Sequence, residues 1–234
     1  MKNILTCKSC GEENPFYSLV CQNCNSYLRD KVVNIDLWNI IGRLIENPLN
    51  AFKTIIHSEH KNFVVSIIIF AAIKFFIDSL FFLTLQKRED TISNTFILNI
   101  LIVLITLSVI LSLYSLLITI ITSKTEARTR FYDNLAILTY SLTPQAIALC
   151  IIFPIEVVVF GSYTFSGNPS PFNIKPLPAY VLTGFEFLAM IASIYLAIIG
   201  LYCQTRSKLY GFLGGIIFYF LVFLSLLIST NFIG

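Results

Sequence analysis

The sequence predicts an all-α polytopic membrane protein: a five-helix transmembrane bundle with a small N-terminal zinc ribbon. Composition is the first observation, because 56% of the 234 residues are hydrophobic, only 12% are charged and the mean hydropathy is +0.79. A soluble globular domain carries roughly 25% charged residues. The second observation is that four of the six cysteines precede every long apolar run. A soluble enzyme, a disordered chain and a lysine-coated nucleic-acid-binding protein are therefore excluded.

Three stretches of different composition predict the domain organisation. Residues 1–28 are polar and contain the two cysteine pairs, so they are predicted to form a zinc ribbon. Residues 29–61 mix charged and apolar positions, which predicts amphipathic interfacial helices and a linker. Residues 62–234 are dominated by long apolar runs and are predicted to be the membrane domain.

The two cysteine pairs carry the clearest chemical signal. Each C-x2-C pair makes a tight turn that directs two thiolates at one ion, and two facing turns give the tetrahedral four-sulfur geometry of zinc. Gly11 and Asn25 follow the pairs, where such a turn typically needs a positive φ. Four protein ligands leave no position for a water molecule, so a single structural Zn²⁺ is predicted. Its ligands would be Cys7, Cys10, Cys21 and Cys24.

Disulfides and iron are the alternatives at this site. A cytosolic location disfavours disulfides, because the thiols are kept reduced there. Rubredoxin-type iron sites usually separate their two cysteine pairs much further. Spacing, glycine and compartment therefore favour zinc.

Two amphipathic helices are predicted within residues 35–58. Asn47 and Pro48 separate them, since asparagine suits an N-cap and proline the first helical position. Such a helix can lie in the lipid headgroup layer with Trp38 at the boundary, or it can pack on the ends of the membrane spans. The two apolar stripes consist of Leu37, Trp38, Ile41, Leu44 and Ile45, and then of Leu49, Phe52, Ile55 and Ile56.

The sequence HSEH at 57–60 contains the only two histidines of the chain. Its spacing differs from the HExxH and HxxEH patterns that place two histidines on one metal. Both side chains are predicted to be solvated rather than to bind a metal.

Five membrane spans are predicted, because about 20 apolar residues cross about 30 Å of hydrocarbon. Pro144 removes a helical hydrogen bond and is predicted to kink the third span. Gly211 and Gly215 recur at a spacing that permits close helix packing. The spans are Phe63 to Leu85, ended by the charged residues 86–90, then Ile92 to Thr122, Leu135 to Phe160, Ala179 to Cys203 and Leu209 to Ile233.

Orientation follows from the distribution of lysine and arginine. Twelve of the sixteen lie on the side of the N-terminus, three lie on the opposite side, and Lys74 lies within the first span. Cytoplasmic segments carry the excess of positive charge in membrane proteins. The N-terminus is therefore predicted to be cytoplasmic and the C-terminus to lie on the opposite side.

Several polar residues within the predicted spans are candidates for function, because charges at membrane depth are costly. Lys74 and Asp78 are four residues apart and can neutralise each other. A proton or ion relay would require such groups to converge at one depth on facing helices. They are not expected to converge, so structural pairing is favoured. The complete candidate set is Lys74, Asp78, Tyr140, Thr143, Pro144, Glu156 and Glu186.

Three stretches of the sequence resemble the Yip family of five-span, Rab-interacting membrane proteins. They are NPLNAFKTII (47–56), TEARTRFYDNLAILTYSLTPQ (125–145) and GLYCQTRSKLYGFLGG (200–215). The most specific shared feature is the tyrosine and Thr-Pro of the third span, here Tyr140, Thr143 and Pro144. The resemblance implies a five-span bundle with a cytoplasmic N-terminus. The added zinc ribbon is similar to the prokaryotic branch of the family, which implies a prokaryotic cytoplasmic membrane.

No nucleophile elbow, P-loop or Rossmann fingerprint is present, so the protein is predicted not to be an enzyme. The favoured hypothesis is a membrane scaffold or adaptor whose residues 1–28 recruit a cytosolic or membrane protein, in a membrane-organising or trafficking-like process. The alternative is a small transporter or lipid-handling protein that uses polar groups of the third and fourth spans. The expected partners are the lipid bilayer and one protein, without nucleic acid, and self-association is left open.

Overall fold

A computed structural model describes residues 2–85, 96–165 and 169–233. The chain is mostly helical, with one small sheet near the N-terminus. The charged residues 86–90 and the first residues of the predicted second span lie outside the described residues. The described chain forms two compact units. One comprises residues 1–65, 111–141 and 194–219, and the other comprises residues 66–110, 142–193 and 220–234.

The N-terminal residues 2–28, here called the knuckle segment, contain two short antiparallel strands. Strand β1 (Ile4–Thr6) pairs with β2 (Glu13–Pro15), with Leu5 opposite Asn14. The tight turn of the first cysteine pair lies between these strands. So small a segment buries little apolar surface of its own, and its fold depends on other links.

Helices α1 (Leu37–Glu46) and α2 (Pro48–His57) follow, with capping that explains their bounds. The Asp36 carboxylate accepts hydrogen bonds from the backbone N–H groups of Trp38 and Asn39. Asn47 ends α1 and caps α2, accepting from the Asn50 N–H at 3.3 Å, with Pro48 at the first position. The predicted break between the two helices is confirmed.

Helix α2 packs inside its unit rather than at a free surface. Most of its apolar side is buried, with Leu49 half-buried, and the helix contacts α5 (Phe131–Ser141) of the same unit. Of the two alternatives, the burial of α2 supports packing against the rest of its unit. Its buried side chains are Ala51, Phe52, Ile55 and Ile56.

Among the described residues, four helical segments are long and apolar enough to span a membrane. A further helix, α3 (Val64–Leu85, 22 residues), occupies the predicted first span, and its crossing of the membrane stays a prediction. The four segments are Ile97–Ser123, Phe131–Thr164, Pro176–Thr205 and Lys208–Leu227. They belong to helices α4 (Phe96–Ser123), α5, α6 (Thr143–Phe160) with a 3₁₀ turn (Gly161–Phe165), α8 (Pro176–Thr205) and α9 (Lys208–Ile233), and a short α7 (Pro171–Ile174) precedes α8.

The predicted kink of the third span takes the form of a break between α5 and α6. Helix α5 ends at Ser141 and α6 begins at Thr143, with Pro144 in its first turn. The backbone N–H groups of Gln145 and Ala146 both donate to the carbonyl of Leu142, at 3.0 and 3.2 Å. Since proline has no N–H to offer, the helix restarts at this point instead of continuing.

Candidate functional site

The four cysteines of the knuckle segment meet at one point. Their sulfur atoms all lie within 4.8 Å of one another, with 3.6 Å separating Cys7 from Cys24 and Cys10 from Cys21. A disulfide requires about 2.05 Å, so these thiols are not bridged. Metal–sulfur bonds of about 2.3 Å in a tetrahedron place sulfur atoms about 3.8 Å apart. The cluster therefore fits a metal ion held by four thiolates.

The two turns that present these thiols have the same backbone geometry. Gly11 has a φ of +76° and Asn25 a φ of +56°, as predicted from their positions. The Gly11 N–H donates to the Cys7 carbonyl at 2.9 Å, and the Asn25 N–H donates to the Cys21 carbonyl at 3.1 Å. This region of φ is open to glycine and tolerated by asparagine, which explains both residue types.

Asn14 links the two turns and was not identified from the sequence. Its side-chain oxygen accepts from the Gln22 N–H at 2.9 Å, and its amide nitrogen donates to the Glu12 carbonyl at 3.0 Å. The same nitrogen lies 3.5 Å from the Cys21 sulfur. Asn14 is buried, so these bonds are shielded from water. No sequence signal singled it out, because its role depends on the pairing of β1 with β2.

Ser26 also supports the cysteine cluster. Its hydroxyl lies 3.1 Å from the sulfur of Cys7 and 3.1 Å from that of Cys24. Hydrogen bonding to this hydroxyl lowers the pKa of the Cys7 thiol to about 6, whereas burial and the neighbouring thiols raise the pKa of Cys10 to about 12. The thiolate is the form that binds metals, so Ser26 favours the metal-binding form of Cys7 at neutral pH.

The knuckle segment is hydrogen-bonded to the end of helix α8. The Asn3 amide donates to the carbonyls of Cys203 and Gln204, at 3.1 and 2.7 Å. Those carbonyls belong to the last turn of α8, where helical partners are missing. Asn3 is buried, so a polar side chain of the segment satisfies an otherwise unpaired helix end.

Aromatic and arginine contacts fasten the segment at a second place. The Arg130 guanidinium lies 4.4 Å from the centre of the Tyr17 ring. Arg29 donates to the carbonyls of Tyr17, Ser18 and His57, at 3.0 to 3.2 Å. These contacts join the segment to the end of α2 and the start of α5. The segment is therefore part of a larger unit and not a free domain.

His57 belongs to this junction, and its predicted solvation is wrong. Its ring packs against Phe16 with ring centres 4.8 Å apart. Its Nε2 is buried and has no hydrogen-bond partner among the described residues. Burial and the nearby Arg29 charge lower the pKa of His57 to about 4. His60, by contrast, is exposed, and the two histidines do not form a metal site with the described residues.

A buried ion cluster lies in the same unit, at the start of α5. Asp133 accepts from Lys61 at 3.1 Å and from Arg130 at 2.9 Å, and its side chain is only 2% exposed. Lys61 also donates to carbonyls at the end of α2, including that of Ser58 at 2.9 Å. Burial lowers the pKa of Lys61, and the Asp133 charge opposes that shift. Sequence reasoning counted Lys61 and Arg130 only as surface charges that set orientation.

The second unit contains the cluster of predicted membrane charges. Lys74 pairs with Asp78 along α3, and its Nζ lies 3.0 Å from a Glu186 carboxylate oxygen on α8. The Lys74 side chain is 1% exposed. The expectation that these groups do not converge is therefore wrong for Lys74, Asp78 and Glu186. The other oxygen of Glu186 is buried and has no hydrogen-bond partner within the described ranges.

The remaining predicted residues occupy other places. Glu156 on α6 is within electrostatic range of Glu186 and Lys74, but no described residue forms an ion pair with it. Tyr140 and Thr143 are buried beside the break between α5 and α6, and Pro144 is half-buried there. Their placement fits a role in that break.

The chain matches no model of a protein family, no curated protein and no solved structure. The site geometry is therefore the basis for the functional conclusion, and the resemblance to the Yip family remains a prediction from the quoted motifs.

Proposed function

We propose that this protein is a non-enzymatic membrane scaffold or adaptor. In this proposal the knuckle segment holds one structural Zn²⁺ and recruits a cytosolic or membrane protein partner, while a five-span bundle anchors it. The observation that carries the proposal is a closed four-thiol cluster fastened to the ends of helices α2, α5 and α8. Four thiolates leave no coordination position for catalysis, and a rigid attachment suits a surface that must be presented in a fixed orientation.

One side of the knuckle segment contacts helices of its own unit, and the other side is exposed and could bind a partner protein. Asn3, Phe16 and Tyr17 make the internal contacts described above. Val20 and Tyr27 pair across an isolated β-bridge and are 40% and 76% exposed. An exposed aromatic residue beside an aliphatic one is typical of the anchors of protein interfaces.

The membrane half of the proposal rests on the apolar helices and on the charge distribution. Four helices have the length and hydropathy of spans, and α3 would be the fifth. With five spans the two termini lie on opposite sides of the membrane, and the excess of lysine and arginine on the N-terminal side makes that side the cytoplasmic one. The Yip-like motifs are consistent with this arrangement and with a prokaryotic cytoplasmic membrane.

Co-purification with metal analysis tests the adaptor function. The full chain, tagged at its C-terminus, is extracted gently and compared with a Cys7→Ser, Cys10→Ser variant by mass spectrometry. We expect the wild type to contain about one zinc per chain, and the variant to lose both zinc and the partner. Cys150→Ser is the matched control, because Cys150 is an exposed cysteine outside the cluster.

A second variant separates the recruiting surface from the metal site. Tyr27→Ala with Val20→Ser should retain zinc and the folded bundle but lose the partner. Partner lists that are identical for wild type and both variants would contradict the adaptor proposal. A chain that binds iron or no metal would contradict the zinc assignment alone.

The observation that supports the alternative, a small transporter or lipid-handling protein, is the ion cluster of Lys74, Asp78 and Glu186. Two carboxylates share one buried lysine there, and one oxygen of Glu186 has no partner among the described residues. Charged groups within a span mark transport pathways by default. Glu156→Gln with Glu186→Gln should abolish flux in reconstituted vesicles under this alternative. Flux that is unchanged would leave the cluster with a structural role.

A further inference from the structure

Helix α1 has an apolar side of which the protein covers only half. At 100° per residue, apolar side chains occupy a continuous arc of nearly half the helix circumference. Ile40 and Leu44, at one edge of the arc, are buried at 3% and 4% exposure. Trp38 and Ile45, at the other edge, are 81% and 75% exposed, and Ile41 lies beside them half-buried.

The exposed half is a coherent surface, here called the Trp38 face and consisting of Trp38, Ile41 and Ile45. Trp38 and Ile45 are seven residues apart, which is two helical turns, so they project from the same side. The polar residues Asn39, Arg43 and Glu46 are exposed on a different side of the helix. The polar side of α1 therefore meets water, whereas the described residues leave most of the Trp38 face uncovered.

The position of α1 in its unit indicates which environment that is. A single residue, Asn47, separates α1 from α2. The first turn of α2 lies beside the end of α8, since the Cys203 thiol donates to the Leu49 carbonyl at 3.7 Å and α8 ends at Thr205. Helix α8 is long and apolar enough to span a membrane, and the end of a span marks the membrane boundary.

We propose that α1 is an interfacial helix whose Trp38 face is inserted into the lipid surface at the boundary of headgroups and acyl chains. Interfacial helices bury their apolar face about 5–10 Å into this boundary, and tryptophan is enriched there. The proposal concerns α1 alone, because α2 is packed inside its unit. It goes beyond the adaptor function and does not depend on a metal ion or a protein partner.

Trp38 is the only tryptophan of the chain, so its fluorescence tests this directly. The full chain is placed in nanodiscs of phosphatidylcholine and phosphatidylglycerol, with or without lipids brominated near the headgroup end of the acyl chain. We expect blue-shifted emission, loss of most of that emission with the brominated lipid, and little quenching by aqueous iodide. Lipids brominated near the chain end should quench less.

A matched control moves the probe by one residue. In Trp38→Phe with Asn39→Trp the reporter projects from the exposed polar side of the same helix. Its emission should be red-shifted, quenched by iodide and insensitive to brominated lipid. Wild-type emission that iodide quenches fully would overturn the proposal. Wild-type emission that resists both quenchers would overturn it as well, and would assign the Trp38 face to a protein partner or a second copy.

Discussion

The approach of helices α8 and α9 at Gly215 provides the sharpest test of the packing. A Cβ atom built at Gly215 would lie 2.5 Å from the Ile198 Cγ1, 2.8 Å from the Ile198 nitrogen and 3.0 Å from its Cα. Ordinary contacts between carbon atoms are about 3.5–4.0 Å. The side-chain atom can rotate away, but the backbone atoms cannot, so Gly215→Ala requires α9 to separate from α8.

The expected cost follows from two opposing terms. Overpacking costs about 1–3 kcal/mol, and a backbone obstacle places Gly215→Ala near the upper value. Alanine gains about 1 kcal/mol over glycine within a helix. The net loss of stability should therefore be about 2 kcal/mol. Gly184→Ala is the matched control on α8, because a Cβ there meets nothing within 4 Å. That control should gain about 1 kcal/mol.

The assay is the temperature at which the detergent-solubilised protein loses its monodisperse elution after heating. The apparent midpoint should fall by several degrees for Gly215→Ala and rise slightly for Gly184→Ala. Gly211→Ala should resemble Gly215→Ala, because its Cβ would lie 2.9 Å from the Ile198 carbonyl oxygen. Equal midpoints for Gly215→Ala and Gly184→Ala would refute the close approach of α8 and α9.

Three further predictions concern the unit that contains the knuckle segment. Asp133→Asn removes a buried charge from Lys61 and should cost about 3 kcal/mol in the same heating assay, whereas Lys31→Gln, at an exposed ion pair, should change it little. The folded protein lowers the pKa of His57 to about 4. As the pH falls, the unfolded chain therefore takes up a proton at a higher pH than the folded chain does. Stability should therefore fall by about 2 kcal/mol from pH 6.5 to pH 4 after allowing for partial exposure, and His57→Phe should flatten this dependence. Asn14→Ala leaves the Gln22 N–H of the second cysteine turn without its acceptor and removes a donor beside the Cys21 sulfur, so the bound metal should be lost to a competing chelator faster than from wild type; equal rates would contradict the linking role of Asn14.

Local features of the fold were predictable from the sequence where a few neighbouring residues decide the conformation. The turns after both cysteine pairs, the Asn47 cap with Pro48 and the break beside Pro144 are of this kind. Each depends on the chemistry of a single residue: the φ angles open to glycine and asparagine, the side-chain acceptor of an N-cap, or the backbone N–H group that proline lacks. The apolar helices likewise follow from composition, because a long apolar segment in a bilayer must satisfy its own backbone hydrogen bonds and a helix does so.

Pairings between distant residues were not predictable in the same way. Asn3 meets the end of α8 some 200 residues later, and Tyr17 meets Arg130. The sequence shows that both partners exist, but it does not show that they lie close together in the folded chain. Many other polar residues could have made the same contacts. The error about Lys74 and Glu186 has this origin: their residue types were noted, but their convergence depends on how α3 packs against α8.

By itself the sequence determined which segments are helical and apolar, and it determined the four residues able to hold one metal ion, because spacing along the chain fixes both. The tertiary structure alone decided that the knuckle segment is attached to the helices of its unit, that the Nε2 atom of His57 is buried, and that only half of the apolar side of α1 is covered. Burial depends on which surfaces meet, and a hydrophobic stripe has the same pattern whether protein or lipid lies against it.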